Sequence, residues 1–200
     1  MDAQFWNERY AATDFFYGQF PNDFVAQVAA QIPAGPVLCL AEGEGRNAAF
    51  LAQKGRSVTA VDQSETGLAK ARQLAASRGC SIETFVADLA HFVITPGAWS
   101  GIVATFMHLP QPLRAHVHAG VVAGLKPGGV YVLEAYTPEQ LKHATGGPRD
   151  IALLMTLDVI RQELAGLDLE IAQEIERDVV EGTGHKGRAA VLQILGRRRA

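Results

Sequence analysis

Cysteine is scarce in this chain of 200 residues, which contains only Cys39 and Cys80. Two cysteines are too few for the disulfide framework of a small secreted domain, and their separation does not match the spacing of zinc ligands. We therefore expect no metal site, and we expect a reducing compartment, the cytoplasm.

Long apolar runs and an excess of positive charge are also lacking. No run approaches the ~18 consecutive apolar residues of a membrane-spanning helix, and the N-terminus lacks the pattern of a signal peptide. The formal net charge is −3, and the only basic run is at residues 197–199. These features argue against a membrane protein and against a nucleic-acid-binding protein. The hydrophobic fraction of 48% fits one globular domain over residues 1–200.

Apolar, strand-like runs alternate with helical patterns along most of the chain. Strands are predicted at residues 36–41, 57–61, 82–87, 101–105 and 130–135, and helices at 47–53, 67–77 and 113–125. This alternation is typical of right-handed βαβ units around a parallel sheet. A helix over 151–163 follows, and then an antiparallel hairpin formed by 167–179 and 187–195. The expected fold is α/β, with a doubly wound, mostly parallel seven-stranded sheet that ends in this hairpin.

The first 33 residues hold more than half of the aromatic side chains of the chain. Two interpretations stay open for this segment. It is either an amphipathic helix that covers the sheet, or an aromatic-rich cap over a cleft, since Gly18 and Pro21 interrupt it. In the second case, the candidates to close over a ligand are Trp6, Arg9, Tyr10, Tyr17 and Asn22.

A glycine-rich loop follows the first predicted strand, with the sequence Ala41-Glu42-Gly43-Glu44-Gly45-Arg46-Asn47. Glycine has no Cβ, so Gly43 and Gly45 permit a tight turn and a close approach of a ligand to the backbone. The next helix presents unpaired N–H groups at its start. Gly43, Gly45 and Ala48 also satisfy the dinucleotide-binding fingerprint G-x-G-x-x-G/A. A purely structural turn is the alternative.

Acidic residues end the second and third predicted strands, Asp62 and Asp88. The carboxyl ends of parallel strands meet at one edge of a sheet, where ligands bind. Asp62 can accept hydrogen bonds from both hydroxyls of a ribose there, and Asp88 can accept one from an exocyclic amine such as that of adenine. The alternatives are local roles, with Asp62 capping the next helix and Asp88 forming a turn.

Four motifs of this chain resemble those of the class I S-adenosylmethionine-dependent methyltransferases, and most closely the small bacterial members near the tellurite-resistance and thiopurine methyltransferases. They are Val37-Leu38-Cys39-Leu40-Ala41-Glu42-Gly43-Glu44-Gly45-Arg46-Asn47, Val61-Asp62-Gln63-Ser64, Ala87-Asp88-Leu89 and Leu125-Lys126-Pro127-Gly128-Gly129. The last motif is the most discriminating, because it precedes the fifth strand in these methyltransferases and not in dinucleotide dehydrogenases.

The resemblance implies S-adenosyl-L-methionine as the cofactor and S-adenosyl-L-homocysteine as its product. It places the methionine part at the glycine-rich loop, the ribose on Asp62, the adenine at residues 88–89, and the transfer site beside Phe106. The cofactor-binding residues that it implies are Ala41, Glu42, Gly43, Gly45, Asn47, Asp62, Gln63, Asp88, Leu89 and Phe106. The chain departs from the family at Cys39, which replaces an acid, and at Ala41, which replaces a glycine. Glu42 is the candidate to replace that acid in holding the amino group of the cofactor.

Two of the six histidines are candidates for a catalytic base. His108 follows the fourth strand, and His185 lies in the predicted hairpin turn, where related small methyltransferases carry a similar histidine. An oxygen or amine acceptor more often needs a base, whereas a thiolate ionises near neutral pH. For each histidine the alternative is a structural or exposed imidazole. The loop at residues 145–148 follows the fifth strand and is expected to contact the substrate.

The leading hypothesis is methyl transfer, by in-line displacement, to a small-molecule nucleophile such as a thiol or a chalcogen oxyanion. A nicotinamide-dependent oxidoreductase is an alternative, based on the fingerprint with Asp62, but the chain leaves no room for a separate substrate domain. A cofactor-binding module without catalysis is a second alternative, because Cys39 and Ala41 depart from the family pattern.

Overall fold

The computed structural model describes residues 2–143 and 145–199, and a seven-stranded sheet forms its centre. The strands are β1 (Pro36–Leu40), β2 (Ser57–Asp62), β3 (Glu83–Val86), β4 (Trp99–Thr105), β5 (Leu125–Tyr136), β6 (Leu167–Glu181) and β7 (His185–Arg198). Their spatial order is β3-β2-β1-β4-β5-β7-β6. Strands β1 to β5 pair in parallel, whereas β7 is antiparallel to both β5 and β6. The predicted fold, including the final hairpin, is therefore confirmed.

Helices cover both faces of the sheet. They are α1 (Ala3–Tyr10), α2 (Asp23–Val28), α3 (Arg46–Gln53), α4 (Glu65–Ser77), α5 (Gln111–Gly124) and α6 (Leu157–Glu163). Alternate residues of β1 enter opposite cores: Val37 and Cys39 pack with α2, α3 and α4, and Leu38 and Leu40 pack with α5 and α6. This two-sided burial explains why the strands are continuous apolar runs. Within the described ranges, no helix is long and apolar enough to cross a membrane.

Most predicted bounds differ from the observed ones by one to three residues, and two elements differ more. The helix expected to reach residue 125 ends at Gly124. The five residues after it form an irregular start of β5. The register shifts there, since Leu125 pairs with Trp99 but Val130 pairs with Gly101. The single helix expected over 151–163 is a 3₁₀ turn at Ile151–Leu153 followed by α6. It is interrupted because the N–H of Met155 donates to the carbonyl of Tyr136 in β5.

Candidate active site

A cavity of about 1200 Å³ opens at the carboxyl ends of β1, β2 and β4 and is bordered by α1. It lies where the strand order reverses, between β1 and β4, the expected ligand position in an open α/β sheet. The predicted residues that line it are Trp6, Arg9, Tyr10, Tyr17, Ala41, Glu42, Asp62, Gln63, Asp88, Leu89, Phe106, His108 and His185. The predicted residues outside its lining are Asn22, Gly43, Gly45 and Asn47.

Asp62 presents a buried carboxylate to this cavity. Its two oxygens accept hydrogen bonds from the backbone N–H groups of Gly43, at 2.9 Å, and of Ser64, at 2.8 Å. Burial raises the pKa of Asp62, and these N–H donors oppose that rise. Ser64 is the residue that caps α4, since its hydroxyl accepts the N–H of Gly67 at 3.0 Å. Asp62 is therefore not needed as the side-chain cap of that helix.

Glu42 caps the start of α3. Its Oε1 accepts hydrogen bonds from the N–H groups of Asn47 and Ala48, at 2.9 and 2.8 Å. Burial raises the pKa of Glu42 to about 7, and burial together with the nearby charge of Glu42 raises the pKa of the Cys39 thiol. One oxygen is thus committed to the helix, and the role of Glu42 toward the amino group of the cofactor stays a prediction.

The glycines of the loop are required by packing within the protein. A Cβ on Gly43 would lie 2.7 Å from the hydroxyl of Tyr10, and one on Gly45 would lie 2.4 Å from the Cβ of Ala71 in α4. Both residues also have positive φ angles, of 60° and 86°. The space that the missing side chains leave is therefore filled by α1 and α4. The approach of a ligand to another side of this backbone stays a prediction.

Asn22 and Asn47 hold the surrounding elements together behind the cavity. The side-chain carbonyl of Asn47 accepts the backbone N–H of Asn22 at 2.9 Å, and its amide donates to Thr105 Oγ1 at 3.0 Å. Asn22 itself caps α2 and donates to the buried carboxylates of Glu134 and Glu181. Asn22 was expected to close over the ligand, but it is fully buried away from the cavity lining.

The segment after α1 is fastened across the cavity by an ion pair that the sequence analysis missed. Lys70 Nζ lies 2.5 Å from Glu44 Oε1 and donates to the backbone carbonyls of Ala12 and Asp14. The other oxygen of Glu44 accepts the N–H of Phe16 at 2.8 Å. These contacts hold Tyr17 in the cavity wall, an arrangement that favours the cap interpretation of the N-terminal segment.

His185 is held in the hairpin turn by a buried carboxylate. Its Nδ1 lies 3.1 Å from Glu181 Oε2, which also accepts from Arg46 Nη2 at 2.8 Å. The hydrogen bond to His185 and the charge of Arg46 outweigh burial and lower the pKa of Glu181 to about 2. Burial lowers the pKa of His185. A neutral imidazole that donates from Nδ1 to Glu181 leaves the lone pair of Nε2 for a ligand.

Aromatic rings surround His185. The ring centroids of Tyr17 and Phe106 each lie 4.6 Å from that of His185, and the ring of Tyr136 lies 5.4 Å away. Phe106 has a φ of 54°, a strained value for a residue with a side chain, directly after β4. The site therefore combines a proton acceptor with flat apolar walls.

His108 lines the same cavity, but both of its ring nitrogens are used by the backbone. Nδ1 lies 3.0 Å from the carbonyl of Leu153, and Nε2 accepts the N–H of Tyr136 at 3.5 Å. Burial lowers the pKa of His108 to about 4. This geometry favours His185 over His108 as the group that takes a proton.

Further residues line the cavity beside the individually predicted site residues. Gly147 and Pro148 line the cavity, in line with the substrate contact predicted for the loop at 145–148. The residues that sequence reasoning missed include Glu44, Arg46, Thr105, Met107, Tyr136 and Leu153. Arg46 belongs to the motif quoted for the resemblance, which was the available signal. Tyr136 ends β5 at the edge where ligands were expected.

Part of the chain matches a methyltransferase family model and a curated methyltransferase. Residues 37–129 match a family model described as a methyltransferase domain. A 2-heptyl-1-hydroxyquinolin-4(1H)-one methyltransferase from Mycobacteroides abscessus is 29% identical over 121 residues, which cover 59% of this chain. The match spans 53% of that relative, about half of its length.

Solved structures share the fold over nearly the whole chain. A protein studied for the conversion of a disulfide bond into a thioacetal group in echinomycin biosynthesis has a TM-score of 0.78 at 20% identity, over 99% of this chain and 90% of its own. TehB from Haemophilus influenzae has a TM-score of 0.73 at 19% identity, over 98% of this chain and 67% of its own. The N-methyltransferase NodS from Bradyrhizobium japonicum has a TM-score of 0.68 at 16% identity, over 100% of this chain and 99% of its own. At these identities the likeness shows the fold, which agrees with the predicted doubly wound sheet and its final hairpin.

Proposed function

We propose that the protein transfers a methyl group from S-adenosyl-L-methionine to a small-molecule nucleophile. One observation carries the proposal: Asp62, at the end of β2, and His185, which is paired with Glu181, line the same cavity. The matched methyltransferase domain, residues 37–129, contains Asp62. His185 lies in the hairpin, outside this matched domain. The two ends of the cavity are therefore formed by different parts of the chain.

The residues present fit this cofactor. Asp62 offers two carboxylate oxygens to the ribose hydroxyls, and Asp88 and Leu89 line the neighbouring part of the cavity, where the adenine would lie. Ala41 and Glu42 line the part next to the loop, where the methionine end would lie. Arg9 also lines the cavity, where it donates to the hydroxyl of Tyr17 at 3.3 Å, and it is the candidate cation for the carboxylate of the cofactor. The cavity, of about 1200 Å³, is large enough for a nucleoside cofactor together with a small acceptor.

Positioning and the exclusion of water are the main tasks of the protein in this reaction. When bound, the cofactor supplies a methyl group that is already activated on a sulfonium, and the product is S-adenosyl-L-homocysteine. Alignment alone can be worth ~7–11 kcal/mol. The cap and the hairpin turn close together over the acceptor end, because the carbonyl of Phe16 accepts the N–H groups of Thr183 and Gly184 at 2.9 and 3.1 Å.

His185 removes the proton from an acceptor that needs deprotonation. Nε2 takes the proton, and Glu181 holds the ring in the required tautomer and stabilises the imidazolium that forms. Acceptors of three kinds suit this arrangement: thiols, chalcogen oxyanions and hydroxylated aromatic molecules. The third kind is included because the curated relative is named for a hydroxyquinolone substrate. We expect the protein to act in the cytoplasm, without nucleic-acid or membrane partners.

Isothermal titration with S-adenosylmethionine and S-adenosylhomocysteine tests the proposal. Wild-type protein should bind both, and Asp62→Ala should lose binding because the ribose loses its acceptor. Asp168→Ala, which removes an exposed carboxylate on β6, is the control and should bind as wild type does. Absence of binding to the wild-type protein would refute the proposed function. Saturable binding of NADH in its place would favour the nicotinamide alternative.

A further inference from the structure

Two buried hydrogen-bond donors at the His185 end of the cavity have no partner within the described part of the chain. They are Nη1 of Arg46 and the hydroxyl of Tyr136, and both side chains line the cavity. The side chain of Arg46 is only 8% exposed. A buried donor without a partner costs ~1–3 kcal/mol, so such groups in a cavity wall indicate a ligand that satisfies them.

Arg46 is fixed beside His185 by a shared carboxylate. Its Nη2 is bound to Glu181 Oε2, the same oxygen that lies 3.1 Å from His185 Nδ1. The guanidinium is therefore held against the same carboxylate as the imidazole, with one nitrogen of its fork unused. A planar guanidinium in this position is suited to an anionic oxygen.

Tyr136 approaches His185 from another side. Its ring is perpendicular to the imidazole, with an angle of 81° between the two planes, and lies 4.6 Å from the ring of Phe106. Gly147 leaves room for the Tyr136 ring, because a Cβ there would lie 2.6 Å from it. Burial raises the pKa of the Tyr136 hydroxyl, which keeps it protonated and able to donate.

We propose that Arg46 and Tyr136 form an oxyanion subsite for the methyl acceptor, and that the acceptor is a planar aromatic molecule whose acidic hydroxyl is the nucleophile. This inference rests on the proposed function. The flat walls of Tyr17, Phe106 and Tyr136 would seat the aromatic ring.

The proton balance of the step follows from the positions of these groups. The acceptor O–H bond breaks, its proton moves to Nε2 of His185, and its electron pair stays on the oxygen. Arg46 and Tyr136 donate hydrogen bonds to that oxygen until its bond to the methyl carbon forms. The electron pair of the broken C–S bond stays on the sulfur of S-adenosylhomocysteine, and His185 later releases its proton to water.

Titration with 4-nitrophenol in the presence of saturating S-adenosylhomocysteine tests the subsite. The ionised phenol is coloured, so absorbance reports both binding and ionisation. We expect bound 4-nitrophenol to be more ionised than the free molecule at the same pH. Tyr136→Phe and Arg46→Lys should each weaken binding of the ionised form about tenfold, while S-adenosylhomocysteine affinity stays within about twofold.

A matched control lies on the same strand. Tyr131 of β5 also has a buried hydroxyl without a partner in the described ranges, but it does not line the cavity, so Tyr131→Phe should leave 4-nitrophenol binding unchanged. Tyr136→Phe breaks no described hydrogen bond of its hydroxyl, so a folding defect is not expected to obscure the result.

Three outcomes would overturn the inference. They are wild-type affinity for 4-nitrophenol in Tyr136→Phe, a loss of S-adenosylhomocysteine affinity alone in Arg46→Lys, and no binding of 4-nitrophenol to the wild-type protein. The second would show that the guanidinium serves the carboxylate of the cofactor. In each of these cases, the proposed function is still supported if the wild-type protein binds S-adenosylhomocysteine. If that binding failed, titration with 4-nitrophenol alone would still decide whether the subsite exists.

Discussion

Glu181 and His185 face each other directly across the β6–β7 turn, and their side chains meet at 3.1 Å. They are the last cross-strand pair before the three turn residues, so the turn itself brings them together. Cross-strand neighbours at this position have side chains close enough to interact. The hairpin therefore places the His185 imidazole in the cavity wall. The hydrogen bond to Glu181 orients the ring and selects its tautomer.

Replacement of His185 separates its role in proton transfer from any role in cofactor binding. His185→Gln should lower the turnover of a hydroxyl acceptor by ~10²–10⁴, because a general base contributes about that much. S-adenosylhomocysteine affinity should stay unchanged. His91→Gln is the control, since the His91 side chain is 87% exposed. Equal turnover in His185→Gln and wild type would show that His185 takes no proton in the reaction.

The pH profile tests Glu181 as a positioning residue. The Glu181 carboxylate opposes the lowering of the His185 pKa by burial, so its removal should lower that pKa further. The reaction needs neutral His185 and should fail as the pH falls through that pKa, which lies below 6.5 in the wild type. Glu181→Gln should therefore shift the acid limb of kcat to lower pH and reduce the plateau ~10–100-fold. If the acid limb of kcat does not shift in Glu181→Gln, that limb reports the titration of a group other than His185.

Residues at strand ends could be predicted from the sequence. Apolar runs fix where β1, β2 and β4 end, and parallel pairing brings those ends to one edge of the sheet. Ala41, Asp62 and Phe106 follow from this rule, and all three line the cavity. The rule needs no knowledge of side-chain contacts, which is why it succeeds for a single sequence.

Contacts between distant charged residues could not be predicted in the same way. Arg46 and Glu181 are separated by 135 positions, and they meet only because the hairpin folds back over the start of α3. Lys70 and Glu44 are charged residues that local patterns assign to the surface. They are buried because each neutralises the other and because backbone carbonyls near Asp14 take the remaining N–H groups of the lysine.

Backbone strain at Ala41 gives a prediction about stability. Ala41 has a φ of 50°, which costs ~1–2 kcal/mol for a residue with a Cβ. Ala41→Gly should raise the free energy of unfolding by ~0.5–1 kcal/mol, since glycine loses part of the gain through the entropy of the unfolded chain. Ala76→Gly, at an exposed position of α4, should have the opposite sign, a loss of ~1 kcal/mol. Urea unfolding of both variants checks this, and a loss of stability in Ala41→Gly would contradict it.

The buried carboxyl of Glu42 should make stability depend on pH in an unusual direction. Its pKa is raised from 4.5 to about 7 in the folded protein, so the folded state binds more protons than the unfolded state between these values. The contribution of Glu42 to stability is therefore present below pH 4.5 and is lost as the pH rises toward 7. Glu42→Gln keeps an oxygen for the N–H groups of Asn47 and Ala48 but cannot ionise. Relative to wild type, this variant should gain ~3 kcal/mol of unfolding free energy between pH 4.5 and 7. Urea unfolding at a series of pH values measures this difference, and a difference that stays constant with pH would show that Glu42 is ionised in the folded protein throughout that range.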